Sequence, residues 1–410
     1  MQYYLSGRLS QQLLWLACLA GVVGLLAARS LVALAPVVGV LAVLANPNLR
    51  AEFPRYFRNG AAMCAAAVFG FLLISGLYTS EWATWRHDLF RYLPLLGVPL
   101  AFTLAVPLTA RQRLAVGCLF VLGTAANGAA TLGKYLLDPA AANEAINLGQ
   151  NVQAVTRIFH ITFGVMLALA FFWGLLLRRS KLVGPVLRGA LLVAAVVAAL
   201  TLHVLAYRTG LLVFYTSLLG YAVWLLVRRR WLLGIGLLVL LGLGPWLAYH
   251  TLESVRQRVD STVWDVGQFT NQQDINNYSL ARRLAAVETA EAVIGQHWLI
   301  GVGPADTRAA MMAQYDWKDY GLRQANRVEV HNQYLEALMG GGLLGFGLLL
   351  LLLLWPFTQA QARHNPYLCF FLLIQATAMM VDAVLSLQIG LNLFIFGYGF
   401  LAVATLNNDE

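Results

Sequence analysis

The chain has 410 residues, of which 60% are hydrophobic and 11% are charged, and its formal net charge is +9. A soluble globular domain typically has about 25% charged residues, so this composition excludes an ordinary soluble protein and favours one whose surface faces lipid. The positive charge does not indicate a nucleic-acid partner, because its placement between apolar segments matters more than its total.

Apolar runs that are long enough to cross a bilayer recur along the chain. A transmembrane helix needs about 17–25 predominantly apolar residues, and a helix satisfies its own backbone polar groups in lipid. The sequence therefore predicts an all-α polytopic membrane protein with about twelve spans, at residues 12–27, 29–45, 61–79, 92–107, 114–136, 158–177, 187–206, 210–227, 231–248, 337–357, 366–385 and 388–405.

Basic residues between these spans predict the orientation of the chain. They are concentrated in alternate joints, at Arg8, Arg50, Arg55, Arg58, Arg111, Arg113, Arg178, Arg179, Lys181, Arg188, Arg228, Arg229, Arg230 and Arg363. The other short joints hold fewer, at Arg29, Arg86, Arg91, Lys134, Arg157 and Arg208. The positive-inside rule makes the first set cytoplasmic, so both termini are expected in the cytoplasm and residues 249–335 on the far side.

The one long polar segment divides the chain into three parts. Residues 1–248 hold spans one to nine, residues 249–335 form a large, mostly helical loop, and residues 336–410 hold spans ten to twelve and a short cytoplasmic tail.

Within the loop, "SLARRLAAVETAEAVIG" has helical spacing, with Ser279 as the expected N-cap and Gly295 as the expected C-cap. Its predicted apolar face comprises Leu284, Val287, Ala290 and Ile294. The following "GVGPAD" is interpreted as a structural turn.

Several charged or polar residues are expected at the membrane boundary on the loop side. Arginine at such a depth costs free energy unless it is paired or near water, so these residues are functional candidates. Each also has an ordinary structural explanation when taken alone, such as extension towards lipid headgroups. The candidates are His331 and Asn332 before span ten, Arg208 between spans seven and eight, Arg282 and Arg283 in the predicted loop helix, and Arg157 before span six.

Together these residue types favour chemistry on a phosphorylated lipid. Arginine offers a planar fork of donors that suits phosphate oxygens, and histidine can accept a proton near neutral pH. The sequence contains no D-x-D pair, and its four cysteines show no metal-ligand spacing. We therefore predict no metal and no cofactor, with arginines neutralising the charge of the leaving phosphate.

His331 is the predicted general base. "HNQYLEAL" is expected to begin a helix, where backbone N–H groups and the helix dipole disfavour a positive imidazole. The glycines that follow, at 340, 341, 342, 345 and 347, indicate close packing of span ten. Asp382, inside predicted span eleven, either makes a polar contact or lines a cavity.

The sequence resembles the O-antigen ligase superfamily in four places. "HNQYLEALMGGGLLGFGLLLL" resembles its histidine signature, and "RLAAVETAEAVIGQHWLIGVGPAD" resembles its arginine helix and the turn that follows. "YRTG" and "RIFHITFG" resemble two further outer-face motifs. One departure is Val287, where the family usually has Trp four residues after the arginine, and the spacing favours Arg283 over Arg282.

The resemblance implies a Gram-negative inner-membrane enzyme with its active site at the periplasmic face. Such an enzyme transfers a glycan from undecaprenyl diphosphate to a sugar hydroxyl of lipid A–core oligosaccharide. The resemblance also implies metal-independent, inverting glycosyl transfer on a GT-C-like helical scaffold. The implied partners are the two amphipathic glycolipids and membrane lipids.

Other interpretations remain open on the sequence. The O-antigen polymerase and the O-linked protein glycosylation ligase share the same motifs. A lipid-linked glycan transporter or flippase with a cationic cavity belongs to a different class, although such proteins often contain internal repeats that are not visible here. A carboxylate-based glycosyltransferase would use Glu81 or Asp88 in the joint after span three.

Overall fold

The computed structural model describes residues 2–147 and 150–406, and all regular structure in these residues is helical. The predicted tail at residues 407–410 lies outside this range. In the first half of the chain the helices are α1 (Gln2–Leu5), α2 (Arg8–Leu26), α3 (Arg29–Leu44), α4 (Leu49–Arg58), α5 (Gly60–Ser75), α6 (Trp82–Tyr92), α7 (Pro94–Leu104), α8 (Ala110–Leu137), α9 (Pro139–Asn147), α10 (His160–Leu177) and α11 (Pro185–Val204).

In the second half they are α12 (Arg208–Val227), α13 (Trp231–Thr251), α14 (Glu253–Thr270), α15 (Ser279–His297), α16 (Thr307–Trp317), α17 (Gln333–Leu354), α18 (Ala360–His364), α19 (Pro366–Met379), α20 (Gln388–Tyr398) and α21 (Ala404–Leu406). Short 3₁₀ turns lie at Gln324–Asn326, Trp355–Thr358 and Val384–Ser386, and a π-helical segment at Gly399–Val403.

A helix overlaps each of the twelve predicted spans, but not all of these helices are long enough to cross a bilayer alone. Among the described residues, seven are sufficiently long and apolar, or eight if α4 and α5, which meet at a bend of 77°, form one span. Helices α3, α19 and the segment from α20 to Val403 are apolar but shorter. A multi-pass helical protein is therefore confirmed, while the count of about twelve and the GT-C-like scaffold stay predictions.

Helix α10 lies at the centre of the bundle. It packs against α8, α11, α12 and α19, and 72% of its apolar window is buried. Helix α13 is the opposite case, because only 11% of its window is buried, as expected for a helix that faces lipid. The start of α10 is therefore held by protein on most sides, and it is one of the helix ends that carry the candidate site.

The loop segment has a second hydrophobic core of its own. Helix α15 packs against α14, α16 and α17, and small residues such as Ala281, Ala285 and Ala286 are fully buried in these contacts. The predicted face is confirmed in part: Ala290 is fully buried, and Val287 and Ile294 pack partly buried against this core, whereas Leu284 is only partly buried. Alanines lie at the closest contacts between helices, where larger side chains do not fit.

The predicted caps of α15 were wrong. Ser279 is the first helical residue, and Gly295 lies inside the helix, which continues to His297. The start of the helix is satisfied from a neighbouring element, because the backbone N–H of Leu280 donates to the Asp265 carboxylate (2.9 Å). A capping group supplied across a tertiary contact leaves no local sequence signal.

The glycines of α17 pack against the turn that follows α15. The backbone N–H of Val302 donates to the carbonyl of Met339, and that of Gly303 donates to the carbonyl of Gly340, each at 2.9 Å. Gly342 has a φ of 57° and breaks the helical geometry of α17, and a Cβ there would overlap the Leu299 carbonyl. The "GVGPAD" segment is thus a structural turn, and it fixes α17 just below His331.

Candidate active site at the loop-side helix ends

His331 and Asn332 stand at the start of α17. The Asn332 side chain caps the helix by accepting from the backbone N–H groups of Tyr334 (2.9 Å) and Leu335 (3.1 Å). Its amide also donates to the carbonyl of Met380 (3.0 Å). These hydrogen bonds fix the backbone next to the partly exposed His331, and they connect the start of α17 to the segment after α19.

Asp382 is the partner of His331. Nδ1 of His331 lies 3.0 Å from Oδ1 of Asp382, which is 3% exposed and lies between α19 and a 3₁₀ turn. An ionised carboxylate can only accept, so Nδ1 carries the proton and Nε2 of a neutral His331 is left free to accept one. Both alternatives raised for Asp382 hold, since it makes a polar contact and also lines a cavity with His331.

Arg283 approaches this pair from α15. Its Nη1 donates to the carbonyl of Val381 (3.3 Å), the residue before Asp382. Burial lowers the pKa of the Arg283 guanidinium, and the Asp382 carboxylate acts in the opposite direction. A partly buried guanidinium next to the His331–Asp382 pair can stabilise negative charge that develops there.

Arg208 begins α12 and contacts a second arginine that the sequence analysis did not identify. Its Nη2 donates to Oγ of Ser261 (3.0 Å) and to the carbonyl of Arg258 (3.4 Å). Arg258 is 4% exposed; burial lowers its pKa to about 10, and the positive charge of Arg208 contributes in the same direction. The positive charges of the buried Arg258 and the partly exposed Arg208 disfavour each other unless an anion is bound nearby.

Asn151 ties Arg258 to the start of α10. Arg258 Nη2 donates to the carbonyl of Gln150 (2.7 Å) and to Oδ1 of Asn151 (3.0 Å), and the Asn151 amide lies 3.2 Å from Nε2 of His160. Phe159, the residue before α10, lines the same cavity as His331 and Asp382. The helix ends of α10, α12 and α17 thus meet at one polar site.

In the described part of the chain, none of these arginines lies within 4.0 Å of a carboxylate oxygen. Within residues 2–147 and 150–406, neither Arg208 nor Arg258 nor Arg283 forms an ion pair, and the Nε atoms of Arg208 and Arg258 are buried without a hydrogen-bond acceptor. Unpaired buried guanidinium groups are costly. Their arrangement is therefore suited to an anionic ligand with several oxygens, such as a diphosphate.

The other two arginine candidates lie apart from this cluster. Arg282 donates from Nη1 to the Asn326 side chain (3.2 Å) and so faces the loop rather than the His331–Asp382 pair. Arg157 is exposed, has a φ of 57°, and contacts Arg29 through its backbone carbonyl. Ligand binding by Arg157, Arg282 and Asn332 stays a prediction, as do the roles assigned to His331, Arg208 and Arg283.

No group of three or more His, Cys, Asp or Glu residues that could hold a metal ion occurs among the described residues. The cysteines are free thiols, and three of the four are buried. Metal independence of the reaction is not tested by this geometry and stays a prediction.

A comparison with protein families gives one match. Residues 193–350 match a family model described as O-Antigen ligase, and this region contains Arg208, Arg258, Arg283 and His331. No curated protein matches the chain with significance. The match supports the resemblance found in the sequence motifs, and it covers the helix ends and loop that form most of the candidate site.

Proposed function

We propose that this chain transfers an O-antigen glycan from undecaprenyl diphosphate to a sugar hydroxyl of lipid A–core oligosaccharide, because it belongs to the O-antigen ligase superfamily. Superfamily membership supports glycosyl transfer from a lipid-linked donor in general, and the identities of donor and acceptor are part of the proposal. The observation that carries it is the unpaired arginine cluster beside the His331–Asp382 pair.

His331 acts as the general base. Its Nε2 takes the proton from the acceptor hydroxyl, and the hydroxyl oxygen attacks the anomeric carbon of the donor sugar. The imidazolium that forms is stabilised by Asp382, which also holds the ring in the tautomer that leaves Nε2 free. A positioned base contributes about 10²–10⁴-fold to the rate.

The bond between the anomeric carbon and the diphosphate oxygen breaks as the new glycosidic bond forms. Undecaprenyl diphosphate leaves with the bonding electron pair, and direct attack from the opposite face inverts the configuration at the anomeric carbon. Arg208, Arg258 and Arg283 neutralise the charge that develops on the leaving oxygen. This arrangement needs no divalent cation, which accords with the absence of a D-x-D pair from the sequence.

The site suits two lipid substrates because it lies at helix ends rather than deep inside the loop. α12 and α17 run from the polar loop side into apolar sequence, so a polyprenyl or acyl chain can stay in the bilayer while its headgroup reaches the site. We place this face in the periplasm of a Gram-negative inner membrane, with both termini in the cytoplasm.

The test uses the full chain purified into lipid nanodiscs. Undecaprenyl-diphosphate glycan and lipid A–core are mixed with wild type, His331→Ala and His331→Gln, and single-turnover transfer and donor affinity are measured. We expect both variants to lose at least about 10²-fold in rate with donor affinity nearly unchanged, since the arginines remain. A near-normal rate for His331→Gln would contradict the base assignment, and weak donor binding by His331→Ala would move His331 into the diphosphate site.

The same assay separates ligase from polymerase, which shares the motifs. A polymerase would extend one lipid-linked glycan with another and would ignore lipid A–core. Transfer to lipid A–core supports the ligase, whereas chain growth without it would replace the ligase by the polymerase. Donor binding without any transfer would favour the transporter.

A further inference from the structure

Two adjoining cavities lie beside His331. The first, of about 370 Å³, is lined by His331 and Asp382 among others. The second, of about 550 Å³, extends between α5, α6 and α17. They share the lining residues Thr307, Arg308, Glu329, Glu336, Ser386 and Leu387, so they adjoin, and together they make up a space that extends from the histidine to the membrane-spanning helices.

One part of this space is lined by carboxylates and by the groups that donate hydrogen bonds to them. Ser386 Oγ donates to both carboxylate oxygens of Glu336 (2.6 and 2.8 Å). Asp88, 6% exposed, pairs with Arg91 (3.0 Å), and Arg91 also donates to the carbonyl of Ser386. Nε of Arg91 is buried without an acceptor among the described residues. These residues therefore offer both hydrogen-bond acceptors and hydrogen-bond donors, as a polyhydroxylated ligand requires.

The part of the space between α5 and α17 is lined by apolar residues. Val68, Phe71 and Leu72 of α5 and Leu349 of α17 line it. Gly341 lies against the Phe71 ring so closely that a Cβ there would come within 2.8 Å of it, so the absence of a side chain at Gly341 lets Phe71 pack against α17. The space is polar towards the loop and apolar towards the membrane, which matches a sugar attached to a lipid.

We propose that this space is the acceptor subsite, in which Glu336, Asp88 and Arg91 bind hydroxyl groups of a lipid-anchored sugar and direct one hydroxyl to His331. The proposal rests on the proposed transfer reaction and adds where the acceptor lies. Glu336 is a binding residue here, because it lines the same cavity as His331 and lies in the first turn of α17, the helix that follows His331.

Charge assigns the two substrates to different sides of the His331–Asp382 pair. Arg208, Arg258 and Arg283 do not line either cavity. The arginines that do line them are Arg91, Arg308 and Arg327, and each is paired with a carboxylate, that of Asp88, Glu329 and Asp316 respectively, so they are less available to a diphosphate. Carboxylates repel phosphate but accept hydrogen bonds from neutral sugar hydroxyls. The donor headgroup is thus favoured on the arginine side and the neutral acceptor ring on the carboxylate side.

Two variants test the subsite in the full-length protein in nanodiscs. Glu336→Gln replaces the carboxyl group by an amide at nearly constant shape, and Ala337→Phe fills the second cavity with an uncharged ring. Their matched controls are Glu291→Gln and Ala309→Phe, at exposed positions of α15 and α16. The probes are lipid A–core and undecaprenyl diphosphate, each titrated alone, followed by acceptor KM in the transfer assay.

We expect both cavity variants to weaken lipid A–core binding by about tenfold or more, the size of a lost hydrogen bond to a charged group. Undecaprenyl diphosphate should bind within twofold of wild type, and the controls should change neither affinity. Arg283→Lys should show the reverse pattern, with donor affinity reduced and acceptor affinity retained.

The outcomes separate this proposal from the proposed function. Transfer to lipid A–core with an unchanged acceptor KM in both folded cavity variants would overturn the subsite and leave the ligase standing. If the protein instead extends a lipid-linked glycan, the ligase assignment fails, and the subsite is then supported only if the KM for that acceptor rises in Glu336→Gln. Loss of undecaprenyl diphosphate binding in both cavity variants would assign the space to the donor.

Discussion

Asp382→Asn isolates what the buried carboxylate does for His331. The substitution keeps the shape of a side chain that is 3% exposed and removes its charge. An asparagine can present its amide N–H to Nδ1 of His331, which would move the ring proton to Nε2 and leave no acceptor for the substrate hydroxyl. The variant should therefore fold and bind donor, yet transfer slowly.

The magnitude follows from the 3.0 Å contact between Nδ1 and Oδ1. A hydrogen bond to a charged partner is worth about 1.5–3 kcal/mol, which corresponds to roughly 10–150-fold in rate at about 1.4 kcal/mol per tenfold. The wrong tautomer removes the base function as well, so the total loss should approach the 10²–10⁴-fold range of a positioned base.

Single-turnover transfer measures this loss, with melting temperature and donor affinity as controls. His331→Ala and the double variant complete a cycle: residues that act as one unit give a double variant about as slow as the slower single variant. If Asp382→Asn transfers within about threefold of wild type, Asp382 has only a packing role. If the two losses multiply in the double variant, His331 and Asp382 act independently.

Three further results are expected. Arg208→Lys and Arg283→Lys should each reduce transfer by about tenfold or more, because lysine loses the bidentate fork. The side chain of Arg282 faces Asn326, so Arg282→Lys should change transfer little. Equal losses in all three variants would show that Arg282 does not differ from the other two arginines. Transfer should persist in excess EDTA, and its loss with recovery in Mg²⁺ would overturn metal independence. Gly342→Ala should lower the melting temperature, since its positive φ costs a non-glycine residue about 1–3 kcal/mol, and an unchanged value would show that the break in α17 relaxes freely.

Local patterns in the sequence predicted the helices and the helix-start position of His331. Apolar runs of sufficient length mark helices whatever their neighbours, and Asn332 is a capping residue whose effect is confined to the next turn. The positions of Arg208, Arg282 and Arg283 at the membrane boundary made them candidates, and the family resemblance favoured Arg283 over Arg282. The structure brings Arg283 to the segment that carries Asp382.

Long-range pairings were beyond local patterns. Asp382 is 51 residues from His331, so the sequence marked it only as an unusual charge inside an apolar run. Arg258 lies in an ordinary polar helix, and only the tertiary fold brings it to Arg208. The buried alanines of α15 at 281, 285 and 286 were not predicted for a related reason, since alanines carry a weak hydrophobic signal but permit the closest contacts between helices.

The position of His331 suggests a role for the charged side chains that lie around it at the loop-side ends of the helices. The unpaired guanidinium groups on one side of the His331–Asp382 pair are costly when no ligand is bound, and the Glu336–Ser386 contact on the other side offers little to an anion. A bound diphosphate would offset the cost of the guanidinium groups, and sugar hydroxyls would donate hydrogen bonds to the Glu336 carboxyl group. The two sets of side chains therefore favour different substrates beside Nε2 of His331.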